Sequence, residues 1–369
     1  MLALALAAAA CWAAVLLAPW RPWSARPHLD PDPSGAAPTQ PVTVLIPARN
    51  EAALIGGTLA AVLDQGSALR ALVVDDHSTD ATAERARAVD PNRVQVLAAD
   101  PLPAGWSGKL WALECGRRRV RTPWVLLLDA DIELRPGVVG ALQYKARHGN
   151  LALVSLMATL DQRGFWAGLL TPAFVYFFKL LYPFRLVNRL RYPVAGAAGG
   201  CMLLRTDVLE DIGGFAAVHD ALIDDCALAA AVKNRGHPIW LGLSRAAVSR
   251  RATPRLRDLW MMVSRTAYVQ LGRSPALLGL CTAAMLLVFA VPPAATLAGS
   301  GAARLLGLAG WAVMAASYLP VLGYYGRARV ACVLLPFIGL LYLAMTWHSA
   351  LRHWQGRGAV WKGRAYGAR

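Results

Sequence analysis

Acidic side chains are scarce in this chain: 22 Asp and Glu stand against 38 Lys and Arg, a formal charge of +16, and charged residues fill only 16% of 369 positions. With 56% hydrophobic residues, the composition is too apolar for a wholly soluble protein, so part of the chain belongs in lipid. The six cysteines (Cys11, Cys115, Cys201, Cys226, Cys281, Cys332) are scattered and form no Cys-x-x-Cys pair, which leaves no disulfide framework and no zinc site. No Gly-x-Gly-x-x-Gly follows the first strand-like run, so a dinucleotide-dependent oxidoreductase is excluded. No nucleic-acid-binding motif accompanies the positive charge. The basic residues flank apolar runs, and the partner they imply is the lipid bilayer. Those runs carry almost no polar residues, which leaves a transporter without a path.

Residues 1–20 contain no charged side chain and just suffice to span a bilayer, and Arg21 and Arg26 follow rather than precede them. This asymmetry predicts an uncleaved anchor with the rest of the chain on the cytoplasmic side. Residues 21–41, with six prolines between 22 and 41, read as an extended linker. Residues 42–272 read as one catalytic unit, residues 273–351 as a membrane bundle of two to three segments, and residues 352–369 as a basic tail. Two stretches of the catalytic unit, about 162–184 and 254–272, are expected to lie at the lipid interface. Three apolar segments after residue 273 would put the basic tail outside, against the positive-inside bias, unless one of them is re-entrant, with Pro292-Pro293 as the break.

Between residues 42 and 156, short apolar runs alternate with helical stretches, which predicts an α/β fold with a mostly parallel, Rossmann-like sheet. Strands are expected over 42–46, 69–74, 94–97, 125–128 and 151–156, with helices from Glu51, Ala81, Lys109 and Pro136. Such sheets bind ligands at the carboxyl ends of their strands. Asp129 and Asp131 fall at one such end with only Ala130 between them, so two carboxylates can converge on one hard cation such as Mg2+ or Mn2+. A solvated strand end is the rival explanation when this tripeptide is taken alone.

Four further clusters fall at comparable places. Pro47, Arg49 and Glu51 end the first strand, where backbone amides can face an anion or a nucleobase. Asp75 and Asp76 end the second, where a carboxylate can accept from a base N–H or ribose hydroxyl while Ser78 to Asp80 cap the next helix. Lys109, after Gly108, is suited to a diphosphate oxygen or is a snorkelling surface lysine. Asp224 and Asp225, flanked by apolar residues at a helix start, either cap that helix or supply a general base for a hydroxyl acceptor. Gly199-Gly200 leads a strand that a ligand or another backbone approaches closely.

Taken together, this order of motifs resembles the family 2 glycosyltransferases of GT-A fold, over residues 42 to about 272. The resemblance implies a nucleotide-sugar donor (a UDP-sugar foremost), a divalent metal and an inverting single displacement. By position it assigns Pro47, Arg49, Glu51, Asp75 and Asp76 to the nucleoside, and Lys109, Asp129 and Gly199-Gly200 to the diphosphate and sugar. Asp131, with Asp129, would hold the metal, and Asp225, beside Asp224, would be the base. Processive relatives carry Gln-x-x-Arg-Trp before their membrane helices. Here only Arg265 of that pattern remains, which suits a single transfer with Arg265 at the leaving diphosphate.

A more extended resemblance, through residues 101–113 (PLPAGWSGKLWAL), 177–184 (FFKLLYPF), 197–203 (AAGGCML), 221–229 (ALIDDCALA) and 361–364 (WKGR), is to the hopene-associated glycosyltransferases. It implies a bacterial inner-membrane enzyme with a polycyclic isoprenoid lipid as acceptor. A polyprenyl phosphate, a ceramide-like lipid and a non-catalytic nucleotide-sugar-binding protein remain as alternatives. The 361–364 stretch is either a phospholipid anchor or a flap over the donor.

Overall fold

The computed structural model describes residues 1–31 and 37–357, together with the backbone of residues 360–361 and 364–365. Eight strands form one sheet: β1 (Val42–Ala48), β2 (Leu69–Asp75), β3 (Val94–Ala98), β4 (Trp124–Leu128), β5 (Ile132–Leu134), β6 (Leu153–Thr159), β7 (Cys201–Arg205) and β8 (Ile239–Ser249). Their spatial order is β3-β2-β1-β4-β7-β6-β8-β5. β1 to β4 pair in parallel, as does β6 with β8, while β7 runs antiparallel to both its neighbours and β5 antiparallel to β8. The sheet is therefore mixed. Its parallel half is the half that the alternating pattern foretold. β5 and β8 had no counterpart in that pattern: β5 is short, and the glycine and serine in β8 interrupt its apolar run.

Apolar side chains cover both faces, as buried parallel strands require. Leu45, Leu127 and Met202 pack on one face beneath the Gly108–Arg117 helix, and Val44, Leu126 and Leu203 pack on the other with the Ile55–Leu63 and Val138–His148 helices. Two helices start later than expected. The first opens at Ile55 rather than Glu51, because Arg49 to Ala52 form a turn in which Asn50 takes φ 52°. The second opens at Val138, after Gly137 at φ 83°, because residues 132–134 are spent on β5.

Among the described residues, three helical stretches near the C-terminus are long and apolar enough to cross a membrane: Pro275–Ala298, Gly301–Tyr324 and Arg329–Trp354. Pro292-Pro293 does not break the first of them. A π-turn over Leu286–Ala290 precedes the two prolines, and the helix continues to Ala298. The Leu2–Leu17 helix, with 16 residues, is about 24 Å long, less than a bilayer core, and packs on Gly301–Tyr324 with Ala9 against Gly310. Trp12 Nε1 donates to the Val288 carbonyl at 2.8 Å.

The Phe165–Leu181 helix is a seam between the sheet and these helices. Tyr176 shares a 2.7 Å hydrogen bond with Ser317, Tyr342 donates to the Leu170 carbonyl at 2.9 Å, and the buried Lys179 donates to the Arg26 carbonyl at 3.1 Å. Residues 254–272 hold two short helices, Leu256–Ser264 and Ala267–Gln270. On the second, buried Tyr268 meets both Leu278, at the start of the first long apolar stretch, and Ala350, near the end of the last. The start and the end of the bundle thus lie on the catalytic side, and so do Arg352 and Arg357. Three full crossings would have put that tail on the far side, and the sequence left that count open against a re-entrant segment. Within it, Val360–Trp361 and Arg364–Ala365 pair as a short antiparallel hairpin, and Lys362 and Gly363 lie outside the described residues.

Candidate active site

Parallel pairing carries three strand ends to one edge. Ala48 is in register with Asp75, and Asp129 follows directly after β4 beside them. From the opposite direction β7 brings its leading glycines alongside, with the Asp129 amide donating to the Gly200 carbonyl at 3.2 Å. Thr58, buried on the Ile55–Leu63 helix, donates to the Ala130 carbonyl at 2.8 Å and fixes the backbone between the two aspartates.

A cleft of about 720 Å³ opens at this edge. Pro47, Glu51, Lys109, Asp129, Asp131 and Asp224 line its inner part, and a small recess behind Lys109 adds Gly199 and Asp225. Ser107 accepts from the Leu110 amide at 3.2 Å as N-cap of the Gly108–Arg117 helix, which sets Lys109 at the cleft. Lys109 Nζ lies 3.1 Å from Asp129 Oδ1 and 3.1 Å from Asp224 Oδ2. Burial works against its charge, but Asp129, Asp224 and Asp225 together raise the ammonium's pKa. Burial pushes Asp129 up, against the pull of Lys109 and with repulsion from Asp131 and Asp224.

Asp225 is held by the amides of Gly199 (2.7 Å, to Oδ2) and Cys226 (2.8 Å, to Oδ1). Burial first, and then the charge of Asp224, raise its pKa to about 6 against the opposing effects of Lys109 and the two amides. A Cβ at residue 199 would stand 3.2 Å from Asp225 Oδ2 and 3.4 Å from Lys109 Nζ, so a side chain there would press the carboxylate aside by a few tenths of an ångström. Gly200 faces Ile132 instead and serves the Asp129 backbone.

Asp131 Oδ2 accepts from the Ser249 hydroxyl at 2.6 Å, and its Oδ1 lies 3.5 Å from Arg251 Nη2. The same guanidinium nitrogen lies 2.6 Å from Glu51 Oε1. Among the described residues no set of three His, Cys, Asp or Glu could enclose a metal. The donor set fits a hard divalent ion held by Asp131 and Asp129 that takes its remaining oxygens from a diphosphate and water, the usual way Mg2+ is bound.

The residues assigned to the nucleoside part company. Asp76 is buried, with Arg49 Nη1 donating to its carbonyl at 2.6 Å and lying 3.5 Å from its carboxylate. Asp75 Oδ2 accepts from the Ser78 amide at 3.3 Å, whereas its buried Oδ1 has no hydrogen-bond partner. Ser78 does not cap the next helix. Its hydroxyl accepts from the Asn50 amide at 3.0 Å and ties the loops after β1 and β2 together.

The outer part of the cleft is lined by Met261, Arg265, Tyr268, Arg352, His353 and Arg357. Arg265, Arg352 and Arg357 form no ion pair with a carboxylate among the described residues. Sequence reasoning missed Ser249 and Arg251, and it left Arg352 in the tail. A polar pair ending the apolar run 239–243 and its continuation was the available signal, but without β8 drawn as a strand it had no place in the site.

Residues 43–213 match the model of Glycosyl transferase family 2. The fold is of the GT-A type. A mannosyltransferase from Pyrobaculum calidifontis, solved in complex with GDP-Man and Mn2+, superposes over 96% of this chain and 99% of its own with a TM-score of 0.58 at 20% identity. Two curated relatives are 4,4'-diaponeurosporenoate glycosyltransferases. That of Staphylococcus haemolyticus (strain JCSC1435) is 34% identical over 120 residues, 32% of either chain, and that of Staphylococcus aureus (strain USA300) is 33% identical over 130 residues, 34% of either chain. The chain thus aligns with about a third of the length of these relatives.

Proposed function

We propose that this protein transfers a single sugar from a nucleotide-diphosphate sugar to a membrane lipid. The observation that carries this reading is the convergence of Lys109, Asp129, Asp131, Asp224 and Asp225 on one cleft whose outer wall is the end of an apolar bundle. The family match and the names of the curated relatives, whose acceptor is a carotenoid acid, agree with it.

Asp75, with its unpartnered oxygen, accepts from the nucleoside. Pro47 lines the cleft there, and Arg49 and Asp76 hold the loop. Lys109 and Arg265 face the diphosphate, and Gly199 leaves room for the sugar beside Asp129, whose amide Gly200 holds. A divalent ion, Mn2+ or Mg2+, would rest on Asp131 and Asp129 and offset the diphosphate's charge. Asp225, close to neutral pH in its own titration, takes the proton of the acceptor hydroxyl as that oxygen attacks the anomeric carbon and the diphosphate departs, inverting the centre. Asp224 keeps Lys109 in place. The lone Arg265 suits one transfer rather than polymer growth.

The acceptor reaches the cleft past residues 256–270 and 349–357. A hopanoid hydroxyl is one fit. The cationic outer wall of Arg352 and Arg357 favours a second: a lipid whose head is a phosphate or carboxylate, which needs no base. The bundle's geometry supports a hairpin, Pro275–Ala298 with Gly301–Tyr324, entering a bacterial inner membrane. The catalytic unit then faces the cytoplasm, and Arg329–Trp354 returns to it.

Membranes containing the protein, incubated with a panel of nucleotide sugars with and without Mn2+ or chelator, should yield a glycosylated lipid detectable by mass spectrometry. Asp131→Ala should abolish it. Product that survives both chelation and this substitution overturns the metal-assisted reading. Loss on Asp131→Ala with retention on Asp225→Ala selects the acidic acceptor.

A further inference from the structure

The two carboxylates at the mouth of the metal-binding edge already share a cation. Arg251 Nη2 stands between Glu51 Oε1 at 2.6 Å and Asp131 Oδ1 at 3.5 Å. Its side chain is 41% exposed, against 9% for Glu51 and 13% for Asp131, so the guanidinium covers both acids from the solvent side. Arg251, Glu51 and Asp131 all line the cleft, so an ion that reaches Asp131 there does so beside the guanidinium. Asp131 has no spare oxygen behind it, because Oδ2 is taken by Ser249 and its carbonyl accepts from the Arg250 amide at 2.8 Å.

The contacts are unequal. The one to Glu51 is a short charge-assisted hydrogen bond, and the one to Asp131 is a looser approach at the limit of hydrogen bonding. The strand end that bears Arg251 is itself anchored next door, where Arg250 grips Glu133 with two hydrogen bonds of 2.6 and 2.5 Å. The side chain can therefore leave Asp131 while its backbone stays and Glu51 retains it.

We propose that Arg251 is a resident counter-cation at the donor site: it neutralises Asp131 when no donor is bound, yields that carboxylate to the incoming divalent ion, and stays on Glu51 as a fixed positive charge facing the diphosphate. This rests on the reading of Asp131 as a metal-binding residue. It makes metal binding and nucleotide binding depend on one another. The bare ion must compete with a guanidinium for Asp131, whereas the ion arriving with a diphosphate brings a new partner for the displaced arginine.

The consequence is a pair of effects with opposite sign. In full-length protein purified in detergent, Arg251→Ala should bind Mn2+ alone about twofold to fivefold more tightly, the size expected for removing one partly exposed ion-pair competitor. The same variant should bind UDP more weakly in the presence of chelator. Mn2+ binding is read from the free-ion electron paramagnetic resonance signal and UDP binding by calorimetry. Arg251→Lys, which keeps the charge, should lie between wild type and alanine in both. The double variant Arg251→Ala, Glu51→Gln should keep the Mn2+ gain; if the gain disappears, Glu51 has become a new ligand and the competition is overturned. An alanine variant that binds Mn2+ no better than wild type, or that loses both affinities together, overturns it as well. Asp131→Ala is the separate control. Mn2+ binding unaffected by that change removes Asp131 from the metal site, whatever Arg251 does.

Discussion

Gly199 donates its backbone N–H to Asp225 Oδ2 at 2.7 Å, and with the Cys226 thiol on the Ala197 carbonyl at 3.6 Å this ties the turn before β7 to the start of the Asp224–Asn234 helix. Ser155 on β6 steadies that turn from behind by accepting from the Ala198 amide at 2.8 Å.

Gly199→Ala tests this contact. A methyl group there meets the Asp225 carboxylate and Lys109 at 3.2 and 3.4 Å, and both must shift by a few tenths of an ångström. The expected result is a fall in kcat of about tenfold or more with little change in melting temperature, since misplacements of about 1 Å cost about a hundredfold. Steady-state kinetics beside a thermal melt separates the two.

The rate should depend on pH through Asp225. Its folded pKa is raised to about 6, so the carboxylate is ionised above that pH and protonated below it. Transfer to a hydroxyl acceptor should therefore climb through pH 6 and level off above, and Asp225→Asn should remove the step with most of the rate. The same shift lowers stability as pH rises from the ordinary value of 3.8 towards 6, because the folded state holds its proton longer than the unfolded chain. A pH–rate profile with no inflection near 6 assigns the proton to another group.

Lys109→Met leaves Asp129 and Asp224 facing each other without their shared cation. Loss of a hydrogen-bonded charge costs about 1.5–3 kcal/mol, which should weaken UDP binding by roughly ten- to a hundredfold. Calorimetry with UDP and Mn2+ measures it. Unchanged affinity would place Lys109 outside the donor site.

Thr58→Val removes the hydroxyl that donates to the Ala130 carbonyl and leaves that buried acceptor unpaired. The cost should be about 1–3 kcal/mol of stability. Because Ala130 sits between Asp129 and Asp131, Mn2+ affinity should fall too. A destabilised variant with normal Mn2+ binding would show that the two aspartates do not depend on this clamp.

Much of the site was legible because its pieces lie at strand ends, and strand ends follow from local pattern. The apolar run 125–128 predicts β4, and β4 puts Asp129 and Asp131 at its edge whatever the rest of the chain does. Lys109 follows from the helix start, and the Asp224-Asp225 pair from its apolar flanks. The division of labour within each pair was not legible. Asp75 and Asp76 are neighbours of the same type, yet Asp76 is turned inward to Arg49 and Asp75 keeps a buried oxygen unpartnered, a choice made by the loop after β1. Asp224 and Asp225 divide in the same way, one towards Lys109 and one towards the Gly199 amide.

By itself the sequence determined the alternation of strands and helices, the parallel half of the sheet, the apolar helices and the carboxylates offered to a ligand, because periodicity and charge act over a few residues. Only the tertiary structure decided that β8 returns beside β6 and β5, bringing Ser249 and Arg251 onto Asp131 from 118 and 120 residues away. It also decided that the last apolar helix ends at the cleft. Both depend on which surfaces bury one another over long separations, and no local pattern in the chain records that.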